Sequence, residues 1–512
     1  MQQSTDTLER PKSATPLQKW PRRHWPEALS ATIALAFATI FIDIIPGPDV
    51  AWQLWIAHQL RMGARLYVDI IEINPPLWFW EAMPLDWAGN LIHVPSHVLL
   101  VLATSMTAAL SVLGTGRLLG HIPTGWRAPL LAYAVLTLLL MPLIDTGQRE
   151  QFLLIAILPY ATLAAMRREG RDVSRTSAVL IAVGAALGLA LKHYYALAPT
   201  LIELWLLASM RRQYRPLRPE TITLAVMAVV YGTAILILTP DYLSHMVPIG
   251  KLAYMALNTT KIDDMFRPIQ WYWLLALVPL ALELKAVRHS ALTSAMAVAT
   301  LGLGLAWLIQ FRGFPYHSIA VSGCLMMTLA YFALEHRHKI KPVTVTVVAM
   351  IMLLPLGFTA WYGPNQNPFG PYSRRMIQGV GPHDSVAFVN YEAVFSWPLS
   401  LYRDAPYPTR QYGWWILSAV ARDHGHTPQL ATLGQQTVAE SVQDFRCDQP
   451  TRIIFSRSLE QGRTVRSWFD PNPDFNELMK HYKLIDKYLI FDIYQKKDPY
   501  PKPPATACRR SY

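Results

Sequence analysis

The sequence predicts a polytopic α-helical membrane protein of about 11 transmembrane helices with a C-terminal extracytoplasmic α/β domain. Three observations lead there. Of the 512 residues, 52% are hydrophobic and only 16% charged, against roughly 25% charged in ordinary soluble domains. Several uncharged runs reach the roughly 17–25 residues with which a helix crosses a hydrocarbon core. From 362 onward that pattern stops, and short mixed elements replace it. A net charge of +12 would suit a nucleic-acid binder, but the basic residues fall in short loops between apolar runs, as membrane topology requires.

Residues 1–27 are polar and no small-residue cleavage site follows the first apolar run, so they read as a cytoplasmic tail and not as a signal peptide. Apolar segments follow at 28–45, 94–115, 128–144, 151–166, 177–191, 194–209, 221–239, 271–284, 291–309, 315–334 and 343–361. The loops between them sort by charge. With the N-terminal tail, one set carries twenty Lys and Arg, among them Arg127, Arg167, Arg168 and Arg218; the alternate set carries eight. Positive charge stays on the cytoplasmic side, so the N-terminus is expected inside and the tail, 362–512, outside. In that tail "SVAFV", "RIIFS" and "YLIFDIY" read as strands, and "GWWILSAVARDHG" and "DFNELMKHYKLI" as helices. "YGPNQNPFGPY" reads as a linker. Cys324 lies in an apolar run; Cys447 and Cys508 lie in the tail, where an oxidising compartment would let them pair.

The outer loops are then 46–93, "DTGQRE", "KHYY", 240–270 and "QFRGFPYH". They gather Asp49, Asp69, Glu72, Asp145, Arg149, Glu150, Lys192, His193, Arg312, Tyr316 and His317, most within a few residues of a helix end. Cations and carboxylates at that depth suit a lipid phosphate on one side and a proton-yielding acceptor on the other. Plainer roles compete with this one. Asp49 could cap the helix that follows it, Asp145 and Glu150 could pair with Arg149, and Lys192 could snorkel. Trp52, Trp55, Trp78 and Trp80 read most simply as a membrane belt. No Cys or His spacing makes a zinc site and no glycine loop cradles phosphate, so a nucleotide-sugar donor is not expected.

The first outer loop, "PDVAWQLWIAHQLRMGARLYVDIIEINPPLWFW", resembles that of GT-C glycosyltransferases, the multi-pass enzymes that take sugar from polyprenyl-phosphate lipids. The resemblance is to the lipid A aminoarabinose transferases and protein O-mannosyltransferases. Its parts are Asp49, a helix from Val50 to Met62, Gly63, Leu66-Tyr67 and Pro75-Pro76-Leu77; "DTGQREQFLL", "LKHYYAL" and "GFPYHSI" look like later outer motifs. Two positions depart from the family: Val50 replaces a second acid, and Asn74 replaces a lysine ahead of the prolines.

The resemblance implies a GT-C-like transmembrane domain over 28–361 and an inverting transfer from a polyprenyl-phosphate sugar to a glycan, lipid or protein hydroxyl. The expected catalytic residues are Asp49, as base, and Asp145. The donor phosphate would be held by Lys192, Arg149, Arg312, His317 and His193, with Asp69, Glu72, Glu150 and Tyr316 as lesser substrate contacts. A divalent metal, Mg or Mn, is left open. The expected setting is a bacterial inner membrane and a cell-envelope glycan. Competing readings are a ligase or polymerase using a lipid-diphosphate glycan, a lipid or solute transporter, and a membrane-anchored scaffold.

Overall fold

Each apolar stretch lies on a helix in the computed structural model, which describes residues 16–254, 256, 257, 271–338, 342–362, 375–392, 396, 397, 399–401, 407–504 and 508. The chain begins with α1 (Pro16–Ile40), α2 (Pro48–Arg61), α3 (Leu77–Ile92), α4 (Ser96–Leu118) and α5 (Thr124–Leu140). Next come α6 (Arg149–Arg168), α7 (Arg175–Leu189), α8 (Leu197–Met210) and α9 (Pro219–Leu238). After them follow α10 (Trp271–Leu282), α11 (Leu284–His289), α12 (Ala291–Gln310), α13 (Ile319–Glu335) and α14 (Pro342–Tyr362). Among the described residues four stretches are long and apolar enough to cross a membrane: α4, α9, α12 and Pro315–Glu335, which contains α13.

The bundle is organised around α6, which packs against α4, α7, α8, α12 and α13. Helices α6 and α13 are buried on every face, whereas α9 turns its Val and Leu side chains outward, as a lipid-facing helix does. Apolar helices gain little by leaving lipid for one another, so close packing must hold them together. At Gly302 a β-carbon would stand 2.6 Å from the Ala198 Cα, so glycine lets α12 and α8 meet backbone to backbone. At the end of the bundle assigned to the cytoplasm, basic residues close on carboxylates. Arg127 meets Glu27 at 3.3 Å, Arg167 meets Glu220 at 2.9 Å, and Arg218 bridges Glu203 and Glu220.

The first outer loop holds two helices where one was expected. In α2 every residue from Val50 to Ala57 is buried, so it is an enclosed helix and not one lying on a surface. Its end is fastened to α3, where Asp86 accepts from Arg61 at 2.5 Å and meets His58 at 3.2 Å.

The C-terminal part contains β1 (Val386–Val389), α15 (Trp415–Asp423), α16 (Pro428–Asp448), β2 (Arg452–Ser456), β3 (Leu459–Glu460) and β4 (Arg463–Thr464). It ends with α17 (Pro473–Met479), β5 (Tyr482–Tyr488) and β6 (Phe491–Lys496). One sheet has the order β1-β2-β6-β5, with β1 and β2 parallel and the other pairs antiparallel. Trp414, Phe445, Phe455, Phe469 and Phe475 fill its core, and Cys447 and Cys508 form a disulfide.

Two expectations need correction here. The helix over "DFNELMKHYKLI" stops at Met479, and "YLIFDIY" spans the tip of the β5–β6 hairpin instead of one strand. Tyr482 and Leu484 fit helical spacing and strand alternation alike, and pairing with β6 decides for the strand. The expected linker residues 363–372, and Lys261, Asp263 and Asp264 of the long outer loop, lie outside the described residues.

Candidate active site

The site is built on a locked turn. Thr146 donates to the Leu143 carbonyl at 2.8 Å, the Gly147 amide donates to Gln151 Oε1 at 2.8 Å, and Trp78 Nε1 donates to the Gly147 carbonyl at 3.3 Å. Gly147 has φ +91°, and a β-carbon there would stand 2.5 Å from Leu100 Cδ2. The turn delivers Arg149 and Glu150, both buried, as the first residues of α6. The Arg149 guanidinium lies 4.2 Å over the Trp78 ring.

Asp49 faces that guanidinium from the first turn of α2, where the helix dipole favours an anion. Its Oδ2 lies 3.8 Å from Arg149 Nη2, and its Oδ1 accepts a 2.7 Å hydrogen bond from Tyr412 of the C-terminal part. The Asp49 side chain is 24% exposed and Arg149 3%, so the acid is reachable while its partner is enclosed. One turn on, Trp52 Nε1 donates to Glu72 Oε2 at 2.7 Å and its ring lies 4.9 Å from that of Tyr412. The Asn74 amide and side chain both donate to Glu72 Oε1, at 2.8 and 2.6 Å. Burial raises the Glu72 carboxyl above its ordinary range, and the bonds from Asn74 and Trp52 and the charge of Arg149 oppose that rise.

Lys192 enters from the turn between α7 and α8. Its Nζ donates to Glu150 Oε1 at 2.6 Å and to Gln310 Oε1 at 3.1 Å, and Tyr195 joins the same carboxylate at 2.9 Å. Burial lowers the ammonium to about 8 against the pull of Glu150. Asp145 is raised to about 7 by burial, then by the like charges of Glu150 and Asp49. Arg312 stacks 3.9 Å over Tyr254 and donates to its carbonyl at 2.6 Å. The fields of Lys192, Arg149 and Arg312 all reach His317, and those of Asp49, Arg149 and Glu150 reach Tyr316. Four buried nitrogens in this chamber have no hydrogen-bond partner among the described residues: Arg149 Nε and Nη1, Arg312 Nε and His317 Nδ1. The three guanidinium nitrogens are buried donors without acceptors, which is costly, and an incoming anion would satisfy them.

Of the residues singled out in the sequence, the structure brings Asp49, Asp145, Arg149, Glu150, Lys192, Arg312, Tyr316 and His317 together, with Glu72 behind Trp52. Asp69 lies elsewhere, closing a turn on the Arg65 amide at 2.8 Å, and His193 is exposed against Tyr194 while Lys192 turns inward. The membrane-belt reading of Trp52, Trp55 and Trp78 is wrong, since all three are buried. Tyr412, Gln310 and Tyr195 escaped the sequence reading. Among the described residues no three His, Cys, Asp or Glu side chains stand together as metal ligands.

Fold and site define a membrane protein that gathers buried cationic donors and one reachable carboxylate at one end of a helical bundle. Its fold is shared with a solved structure at low sequence identity. The chain superposes on ArnT from Cupriavidus metallidurans, determined bound to undecaprenyl phosphate, with a TM-score of 0.56 and 12% identity over 91% of this chain and 97% of that one. Archaeal oligosaccharyltransferase AglB from Archaeoglobus fulgidus, in complex with an inhibitory peptide and a dolichol-phosphate, aligns at TM-score 0.43 and 10% identity over 90% of this chain and 73% of that one. Mycobacterial arabinofuranosyltransferase AftD aligns at 0.43 and 15% over 92% and 41%. No family model and no curated protein matches the sequence.

Proposed function

We propose that this protein is a glycosyltransferase that moves a sugar from a polyprenyl-phosphate donor to a hydroxyl at the outer face of a bacterial inner membrane. One observation supports the reading above others. A reachable carboxylate, Asp49, stands beside an enclosed guanidinium, Arg149, whose Nε and Nη1 have no partner among the described residues. Such a pair has a place for an acceptor proton and a place for a donor phosphate.

In this mechanism the acceptor hydroxyl gives its proton to Asp49 as its oxygen attacks the anomeric carbon. The bond from that carbon to the phosphate oxygen breaks, and the configuration inverts. The leaving group is already a phosphate, so it needs charge stabilisation more than a proton. Arg149 and Arg312 supply unpaired donors, and Lys192, held by Glu150, adds positive field at short range. The lipid tail would run in a cavity of about 1110 Å³ between α4, α6 and α7, lined by Leu100, Phe152, Ile155 and Ile181, with Gln53 and Glu81 toward the reacting end. Eleven crossings, a cytoplasmic N-terminus and a periplasmic C-terminal domain belong to the same proposal. The basic residues Arg127 and Arg167 at the opposite end of the bundle support that orientation.

The test is full-length protein in detergent, given a panel of undecaprenyl-phosphate sugars and a membrane extract as acceptor source. Release of undecaprenyl phosphate should occur with one donor of the panel and vanish in Asp49→Asn, while donor binding stays. Wild-type turnover in that variant would end the assignment of Asp49 as base.

A further inference from the structure

Tyr412 enters the site from far along the chain. Its hydroxyl donates to Asp49 Oδ1 at 2.7 Å, across a separation of 363 residues. The segment that presents it is fixed from both sides. Arg410 is buried and makes a two-pronged ion pair with Asp444, Nε to Oδ2 at 3.1 Å and Nη2 to Oδ1 at 2.9 Å. The Arg410 carbonyl accepts the Ile71 amide at 3.0 Å, and Gln411 bridges Ile71 as a parallel neighbour. Tyr412 therefore stands on a rigid wall shared by the first outer loop and the C-terminal domain. Its ring packs on Trp52, 4.9 Å away, one turn beyond Asp49 on α2.

The opposite oxygen of Asp49 shows what that wall does. At 3.8 Å, Oδ2 is too far from Arg149 Nη2 for a hydrogen bond. A carboxylate and a guanidinium this close would otherwise close into a bidentate pair, which is their strongest arrangement. Closure would occupy the guanidinium N–H groups and neutralise the acid. Burial and the Asp49 charge hold the Tyr412 phenol well above its ordinary range, so it stays a donor.

Resting on the transferase reading above, we propose that Tyr412 is a positioning residue that holds the Asp49 carboxylate apart from Arg149. The acid is thereby kept free to accept a proton and the guanidinium free to meet phosphate. The C-terminal domain is then part of the catalytic centre.

The experiment compares Tyr412→Phe, Tyr407→Phe and Asp49→Asn in the full chain with the donor panel and acceptor extract. Tyr407 belongs to the same aromatic cluster but makes no contact with Asp49 that would be lost, so it controls for removing a buried hydroxyl. Loss of one charge-assisted hydrogen bond should lower kcat about tenfold or more in Tyr412→Phe. The donor KM should move less than about threefold and the unfolding temperature should hold, while Tyr407→Phe should keep wild-type kcat. Wild-type kcat in Tyr412→Phe, with Asp49→Asn inactive, would overturn the role of Tyr412 alone. A fall in kcat matched by an equal loss of folded protein would also overturn it. An active Asp49→Asn would remove both this role and the reading beneath it.

Discussion

At the scale of single residues the site is a set of charges that are not all satisfied. Lys192 and Glu150 satisfy each other, and either one alone would be a buried uncompensated charge. Asp145 has no such partner among the described residues, and a pH dependence follows. Its folded carboxyl titrates near 7, above the ordinary 3.8. Between those values the folded chain keeps a proton that the unfolded chain has lost. The stability this group contributes is therefore whole at low pH and is lost as pH rises through about 7. Asp145→Asn cannot lose that proton. Its unfolding midpoint minus that of the wild type should rise from pH 5 to pH 8; a difference independent of pH would show that Asp145 is not held neutral. Most of the site's acids and cations were legible in the sequence because each lies beside a helix end in an outer loop. Tyr412 was not, because nothing local marks a tyrosine that will meet an acid 363 residues away.

At the scale of elements, the turn before α6 does more than connect. Gly147 adopts φ +91°, and a β-carbon there would meet Leu100 of α4 at 2.5 Å and Val50 of α2 at 3.1 Å, so its bareness sets the spacing between the helix that carries Asp49 and the one that carries Arg149. Alanine there meets a backbone conformation that L-residues rarely adopt and a β-carbon contact of 2.5 Å. We expect Gly147→Ala to cost about 1–3 kcal/mol and to reduce transfer beyond the loss of folded protein. Thermal unfolding beside turnover per folded molecule checks both. Unchanged turnover would mean that the turn does not set the Asp49–Arg149 spacing. Sequence periodicity located the apolar helices because lipid enforces long uninterrupted runs. It failed at α3, α16 and the β5–β6 hairpin. There the partner surfaces are other parts of the protein: Trp and Leu of α3 fit a membrane belt as well as a packed helix, Tyr and Leu of the hairpin fit a helix as well as a strand, and α16 carries no long apolar run.

At the scale of the whole molecule, the C-terminal domain closes the end of the bundle that holds the site. It reaches the first outer loop through the Ile71–Gln411 bridge and the aromatic cluster of Trp52, Trp55, Trp397, Tyr407 and Tyr412. A substrate that passed between the two would have to part that contact, whereas one entering from the membrane side would not. The large cavity between α4, α6 and α7 reaches Gln53, one turn beyond Asp49 on α2, and the proposed lipid route through it leaves the contact shut. The closed arrangement should therefore be competent throughout turnover. Cysteines in place of Ile71 and Gln411, oxidised to a disulfide, would lock it. The locked protein should release undecaprenyl phosphate at no less than about half the wild-type rate, since a closed contact excludes water from the site without blocking the lipid route. A tenfold fall on oxidation, with the same variant active before it, would mean that the domain lifts in every cycle and that the acceptor enters beneath it.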